Sequence, residues 1–319
     1  MDGNDSCNPP HVGNSFLQAV MIIDLIVGLP GSIVALWIFC FRVKVWKPHI
    51  IFLFNLVLAD FLLLISVPFR IHTHWQKENW VFGSAVCSIN LFMLSVNRSA
   101  SIAFMTVVAL DRYFKVVHPH RCVSRLKESQ AWGVVGLIWV AVTSLRVPLL
   151  TTDLIHQEGN DSLCRSFYPY KDVPPAATMN SAMYMLEFFL SWPVLLFCSA
   201  RITWHLRKRG MSKQKNVQRG IRAVVTISAV FTFCFMPSVF AGVVALYFKG
   251  RDCYLYMTWS GIFVTCFGLN YLNSALDSVI YFYSSSTFQQ TLKNSVSIRK
   301  KVRANNRQKL QQDTNILDQ

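Results

Sequence analysis

Charge is scarce in this sequence. Only 15% of its 319 residues are Asp, Glu, Lys or Arg, where a soluble domain carries about a quarter. Acid is scarcer still: 16 Asp and Glu stand against 31 Lys and Arg, for a net charge of +15. An ordinary soluble fold is excluded, because the 53% hydrophobic content and the mean hydropathy of +0.35 come from long apolar runs. Nine cysteines occur without a CxxC pair, so a zinc site of paired thiolates is excluded. Cys40, Cys198, Cys234 and Cys266 lie inside apolar runs and read as packing residues. HExxH and GxSxG are absent, which argues against an enzyme. No period of 20–50 residues repeats, so this is not an array. The opening MDGNDSCNPPHVGN has no cationic n-region. No cleavable signal peptide is expected, and the first apolar run should serve as a signal anchor.

Seven apolar stretches are present, at about 16–41, 50–69, 82–116, 131–150, 179–203, 223–248 and 256–283. Each reaches the roughly 20 residues a helix needs to cross a bilayer. Only helices satisfy their own backbone in lipid without closing a barrel. The expected fold is therefore all-α, a seven-transmembrane helix bundle over 16–283. A short N-terminus, 1–15, precedes it, and a tail, 284–319, follows. In the tail Phe288, Leu292 and Val296 recur at helical spacing beside several cations, the pattern of a short amphipathic helix lying on the inner leaflet. The tail has no cysteine to palmitoylate, and beyond about 304 its polarity predicts disorder.

The cations sit in loops. Arg42, Lys44 and Lys47 follow the first stretch, and Lys115, Arg121, Arg125 and Lys127 follow the third. Eight Lys or Arg crowd residues 201–222, and seven more lie in the tail. The opposite loops mix in Asp153, Glu158, Asp161 and Asp172. The positive-inside rule then puts the N-terminus outside and the C-terminus inside. The positive charge belongs to membrane-flanking loops and implies lipid contact, not nucleic acid. Sequons at Asn4 and Asn160 fall on the outer side as glycan acceptors. Cys87 with Cys164, and Cys7 with Cys253, are candidate pairs in that oxidising compartment.

Residues 87–120 organise the rest. As a helix, Cys87 to Arg112 climbs ~37 Å, with a cation, Arg98, between a cysteine at one face and Asp111-Arg112-Tyr113 at the other. Cys87, Arg98, Ser101 and Arg112 fall within roughly 40° of one line. Lipid cannot solvate that line, so it should face protein.

Ionisable residues at membrane depth are costly and default to a functional reading. They are Asp24, Asp60, Arg70, Arg98, Arg146, Glu187 and Asp277. Asp60, Asn97, Ser101, Asn273 and Asp277 offer oxygens at compatible depth. They either fix packing through hydrogen bonds or form a pocket for sodium, a hard cation that prefers oxygen. Arg70 and Arg146 either snorkel to the headgroups or join Arg98 in a cationic cavity open to the outside. A guanidinium there takes a carboxylate through two parallel hydrogen bonds. Trp80 is expected at the membrane interface, and Glu187 should face the bundle and pair with an arginine.

Taken together these residues resemble a rhodopsin-like (class A) G-protein-coupled receptor. The matches are Asp60 in LVLAD, Trp80-Val-Phe-Gly83 before Cys87, Asp111-Arg112-Tyr113, Trp139, Pro237 in CFMP and Asp277-Ser-Val-Ile-Tyr281. ALWIFCFRVKVWKP, LFMLSVNRSAS, DRYFKVVHPH, LEFFL, LLFCSARI and YLNSALD resemble the hydroxycarboxylic acid and oxoeicosanoid receptor branch. The resemblance implies a receptor for a small or lipidic carboxylic acid, coupled to a Gi/o-class G protein at the plasma membrane. It makes Arg98 the carboxylate anchor, assisted by Arg70 in some members; Arg146 and Tyr271 are further candidate ligand contacts. A sodium ion in the oxygen pocket is the one cofactor expected, as an allosteric modulator. Asp111, Arg112, Tyr113, Phe235, Pro237 and Tyr281 become the activation and coupling residues, with Arg112 released from Asp111 as the receptor opens. Ser32, Ser278, Phe235 and Ser199 depart from the class pattern, and Pro193 stands two residues beyond the usual proline position, held by Ser191. A binding protein without signalling and an organic-acid transporter remain as alternatives, the latter lacking inverted halves.

Overall fold

The computed structural model describes residues 14–76, 79–119, 126–158, 161–164, 175–208 and 215–284. Seven rods form the bundle: α1 (Asn14–Phe41), α2 (Pro48–Trp75), α3 (Gly83–Val117), α4 (Glu128–Arg146), α6 (Pro175–Lys208), α7 (Lys215–Phe248), and a broken rod. The broken rod is α8 (Cys253–Phe267), a 3-10 turn (Gly268–Asn270) and α9 (Leu272–Ser284). A one-turn α5 (Pro148–Thr151) and a hairpin, β1 (Ile155–Glu158) with β2 (Asp161–Cys164), follow α4. Among the described residues six helices are long and apolar enough to cross a membrane. The broken rod makes the seventh.

Local chemistry sets the ends. Pro48 opens α2, where its missing N–H costs nothing. Gly83 opens α3 at φ +81°, a backbone angle that favours glycine. The Asp252 carboxylate caps α8 by accepting from the Leu255 amide at 3.0 Å. The seventh stretch reads in sequence as one helix over 256–283, but it breaks at Gly268. The Tyr271 amide reaches back three residues to Gly268 O at 3.0 Å, the tighter 3-10 winding. A Cβ on Gly268 would stand 2.6 Å from Leu17 Cδ1, so α1 approaches closely there. The expected amphipathic tail helix lies outside the described residues.

Between helices in lipid there is little hydrophobic drive, so close approach and polar contacts hold the bundle. Ala35, Ala59, Ala100, Ala109 and Ala131 are all buried and let backbones approach. Trp139 Nε1 donates to Asn55 Oδ1 at 3.0 Å and ties α4 to α2. Asp24 joins α1 to α9, accepting from Ser274 Oγ at 2.5 Å and the Ala275 amide at 3.1 Å. The central rod is α3, which packs on α2, α4, α6 and α7.

The hairpin covers one end of the bundle. Cys164 in β2 is bonded to Cys87 of α3 across a sequence separation of 77. Trp80 is not at a lipid interface, contrary to expectation. It is buried with the disulfide, its amide donates to Ser162 O at 2.7 Å, and its ring N–H donates to Gly83 O at 2.8 Å. A strand carbonyl claims its backbone, so it stays under the hairpin. Asp153 accepts from Ser84 Oγ at 2.8 Å and from the Ile155 amide, and these bonds hold its carboxyl below the usual range.

Candidate functional site

Arg98 sits in α3, eleven residues or about three turns below Cys87. It is buried, and so are Cys87 and Ser101 on the same line. Its guanidinium carbon lies 4.4 Å from the Tyr184 ring centroid and 5.0 Å from that of Phe267. Both separations are in cation–π range. These rings come from α6 and α8, so three helices meet on one cation. A cavity of about 100 Å³ opens against it, lined also by Arg70, Thr73, His74, Ser95 and Tyr271. The Cys164 strand forms part of the wall.

Arg70 faces the same cavity from α2, two residues past Pro68. Nε donates to Asn90 Oδ1 and Nη1 to Cys164 O, both at 2.7 Å. Asn90 in turn donates to Ser66 O at 2.9 Å. Arg70 is thus clamped in place and does not snorkel. Tyr271, the residue closing the 3-10 turn, is buried beside it.

Arg146 is placed elsewhere. It neither snorkels nor lines that cavity. Its side chain is 1% exposed and Nη2 lies 2.6 Å from Glu187 Oε1. Nη1 donates to Asn180 Oδ1 at 2.6 Å, and Nη2 also donates to Ser99 Oγ at 2.7 Å. Ser99 Oγ in turn donates to the Glu187 carboxylate. Burying a guanidinium without a counter-charge is costly, and for Arg146 Glu187 of α6 supplies that charge from within. The pairing of Glu187 with an arginine follows the sequence reading, and Arg146 is the partner.

Deeper in the bundle, Asp60, Asn97, Ser101, Asn273 and Asp277 are all buried. Asn273 Nδ2 donates to Asp277 Oδ2 at 2.9 Å, and the Asp60 and Asp277 carboxyls are in hydrogen-bond contact. Two touching carboxyls must hold a proton or a cation between them. Ser101 Oγ, Asn273 Oδ1 and Asp277 Oδ1 have no hydrogen-bond partner among the described residues. A second cavity of about 20 Å³, lined by Asn97, Arg98, Asn270 and Tyr271, lies between this cluster and the first. Among the described residues no group of three His, Cys, Asp or Glu could hold a metal ion. A cation here depends on the two carboxylates plus amide and hydroxyl oxygens.

At the far end of α3 the Asp111 charge acts on Arg112, and Asp111 is also held by Lys115. Asp111 offers its two oxygens to Lys115 Nζ at 2.7 and 2.9 Å. The i,i+4 spacing puts Lys115 directly one turn away on the same face. Tyr113 Oη meets His118 Nε2 at 3.1 Å. Phe235 is buried against Phe231, with ring centroids 5.0 Å apart, and Pro237 interrupts α7 two residues later. The Tyr281 side chain, Cys7 and the sequons at Asn4 and Asn160 lie outside the described residues. Cys253 is disulfide-bonded.

The sequence reading missed the rings of Tyr184 and Phe267. Tyr184 stands three residues before Glu187 on the same helix, a spacing that puts both on one face, and that was the available signal.

The chain matches the family model of the seven-transmembrane receptors of the rhodopsin family over residues 31–281. It is 41% identical to human hydroxycarboxylic acid receptor 2 over 276 residues, covering 85% of this chain and 75% of that one. It is 36% identical to human oxoeicosanoid receptor 1 over 292 residues, 90% and 75% of the two chains. It is 34% identical to the human 12-(S)-hydroxy-5,8,10,14-eicosatetraenoic acid receptor over 291 residues, 90% of each. The chain therefore belongs to the rhodopsin family of seven-transmembrane receptors, multi-pass proteins of the plasma membrane that are not enzymes and that work with a small-molecule ligand and a G protein.

Proposed function

We propose that this receptor binds a hydroxy- or oxo-carboxylic acid from outside the cell and activates a Gi/o-class G protein. One observation carries the reading: Arg98 and Arg70 line a single cavity. Aromatic rings approach the Arg98 guanidinium within cation–π range. The ligand carboxylate meets its N–H edge, where the two-bond fork forms. Arg70 supplies the second cation and Tyr271 a phenol. Arg146 takes no part in binding and acts through Glu187. The cavity's size, about 100 Å³, is well under the roughly 300–1,000 Å³ of pockets for drug-sized ligands. That favours a short acid over an eicosanoid chain. Similarity to receptors named for hydroxycarboxylic acids supports the same choice.

The disulfide end faces outward in this reading. The oxidising side suits a bridge, and the basic loops at the other end suit the inner leaflet. Apolar side chains such as Leu137 and Val140, 70% and 67% exposed on α4, meet lipid. The Gi/o class rests on the resemblance to the branch.

The test is nucleotide exchange on Gi-supplemented membranes with lactate, 3-hydroxybutyrate, 5-oxo-eicosatetraenoate and their methyl esters. A short hydroxy acid is expected to activate, and its ester to fail at any soluble concentration. Equal activity of acid and ester would overturn the carboxylate reading.

The Asp60–Asp277 cluster fits sodium, held by both carboxylates with Ser101, Asn273 and Asn97. The ion would supply the positive charge that the touching carboxyls require. Replacing sodium by N-methylglucamine is then expected to raise basal nucleotide exchange in wild type. In Asp277→Asn the ionic substitution should change nothing. An unaltered sodium response in that variant would rule the pocket out.

A further inference from the structure

Beyond the anchor itself, a chain of polar contacts runs from it to the proline turn of α7. Tyr184 is fully buried. One face of its ring lies 4.4 Å from the Arg98 guanidinium carbon. Its phenol oxygen lies 2.6 Å from Ser238 Oγ and accepts from Asn270 Nδ2 at 3.3 Å. Ser238 Oγ lies 2.9 Å from Phe235 O. The Phe235 carbonyl also lies 3.5 Å from Tyr184 Oη. Each hydroxyl has one proton, so one of the pair donates to the other and the other to the Phe235 carbonyl, and both arrangements tie Tyr184 and Ser238 to that carbonyl. Phe235 and Ser238 flank Pro237, which removes one backbone bond from α7 and loosens it there.

We infer that Tyr184 is a positioning residue that couples the Arg98 cation to the Pro237 turn of α7. This rests on the reading of Arg98 as carboxylate anchor. A carboxylate that pairs with Arg98 competes with the ring for the guanidinium. The phenol then shifts against Ser238, and the tie between α6 and α7 slackens at the turn where α7 bends most easily. Binding and opening are linked only if the two states hold the ligand differently, and this contact supplies the difference.

The experiment compares wild type, Tyr184→Phe, Ser238→Ala and the double variant at matched surface expression. It reads basal Gi nucleotide exchange and the Ki of 3-hydroxybutyrate or of whichever probe acid activates. Tyr184→Phe keeps the ring over Arg98 and loses only the hydroxyl. Its Ki should stay within about twofold, while basal exchange rises about fivefold, the factor that corresponds to a lost hydrogen bond of about 1 kcal/mol. Ser238→Ala should do the same, and the double variant should add nothing. Wild-type basal exchange in Tyr184→Phe overturns the proposal. So does a Ki that moves in step with basal exchange, or additive effects of the two substitutions. If either single variant fails to reach the surface, the other decides the matter alone. Because basal exchange needs no ligand, these outcomes are separate from a failure of the acid reading, which would appear as an acid response that survives loss of Arg98.

Discussion

Arg98→Ala is expected to abolish the response to every activating acid while leaving receptor at the cell surface. Truncating one partner of a buried, hydrogen-bonded charge pair costs about 2–5 kcal/mol, or roughly 30-fold to several thousand-fold in affinity. Short acids have few other contacts to compensate. Arg98→Lys keeps the charge but loses the planar fork and its fit against Tyr184 and Phe267. It should fall between, at about tenfold. Arg70 makes two hydrogen bonds to its own protein, so its charge is partly committed and its loss should cost less than that of Arg98. Concentration–response curves for nucleotide exchange, scaled to surface expression, give all three values. An Arg98→Ala receptor with wild-type potency would remove the anchor from the site.

The second large effect concerns folding. Glu187→Ala is expected to destabilise the receptor by about 3–5 kcal/mol, because it leaves Arg146 buried without its counter-charge. Arg146 is 1% exposed and Glu187 22%, so water cannot take over. Arg146→Gln should destabilise less, since an amide still reaches Ser99 and Asn180 and the half-buried carboxylate has some access to water. Removing both charges should cost less than the sum of the single losses. Thermal unfolding in detergent and the yield of surface receptor measure this. The outcome also decides the part played by Arg146. Were Arg146 a ligand contact, its replacement would spare expression and eliminate the acid response. The structure calls for the reverse, lower yield with the acid response intact in whatever receptor folds. Additive losses in the double variant would show that the ion pair does not hold α4 to α6.

Much of this is written in the chain. Apolar run length set the number of crossings, and α1, α3 and the start of α7's apolar core lie within a few residues of where the runs end. Helices in lipid have no partner but themselves, so counting residues is enough. The line through Cys87, Arg98 and Ser101 was legible because 3.6 residues per turn fixes which side chains share a face, and those three are buried. The Cys87–Cys164 bridge was one of the pairings the outer cysteines allow, and it is the one formed.

Other features were not legible. Periodicity does not report which neighbour a face meets. The sequence could not distinguish Arg146 from Arg70, two arginines near the same end of neighbouring apolar runs. Packing put one against Glu187 and the other on the cavity wall beside the Cys164 strand. The close approach of Leu17 to Gly268 joins residues more than two hundred and fifty apart. The sequence alone determined a seven-crossing receptor with a cation buried in its third helix, because burial in lipid restricts backbone and charge so tightly. Only the tertiary structure decided which arginines line the cavity and which pairs with Glu187, because counter-charge and aromatic cover are supplied by residues from other helices.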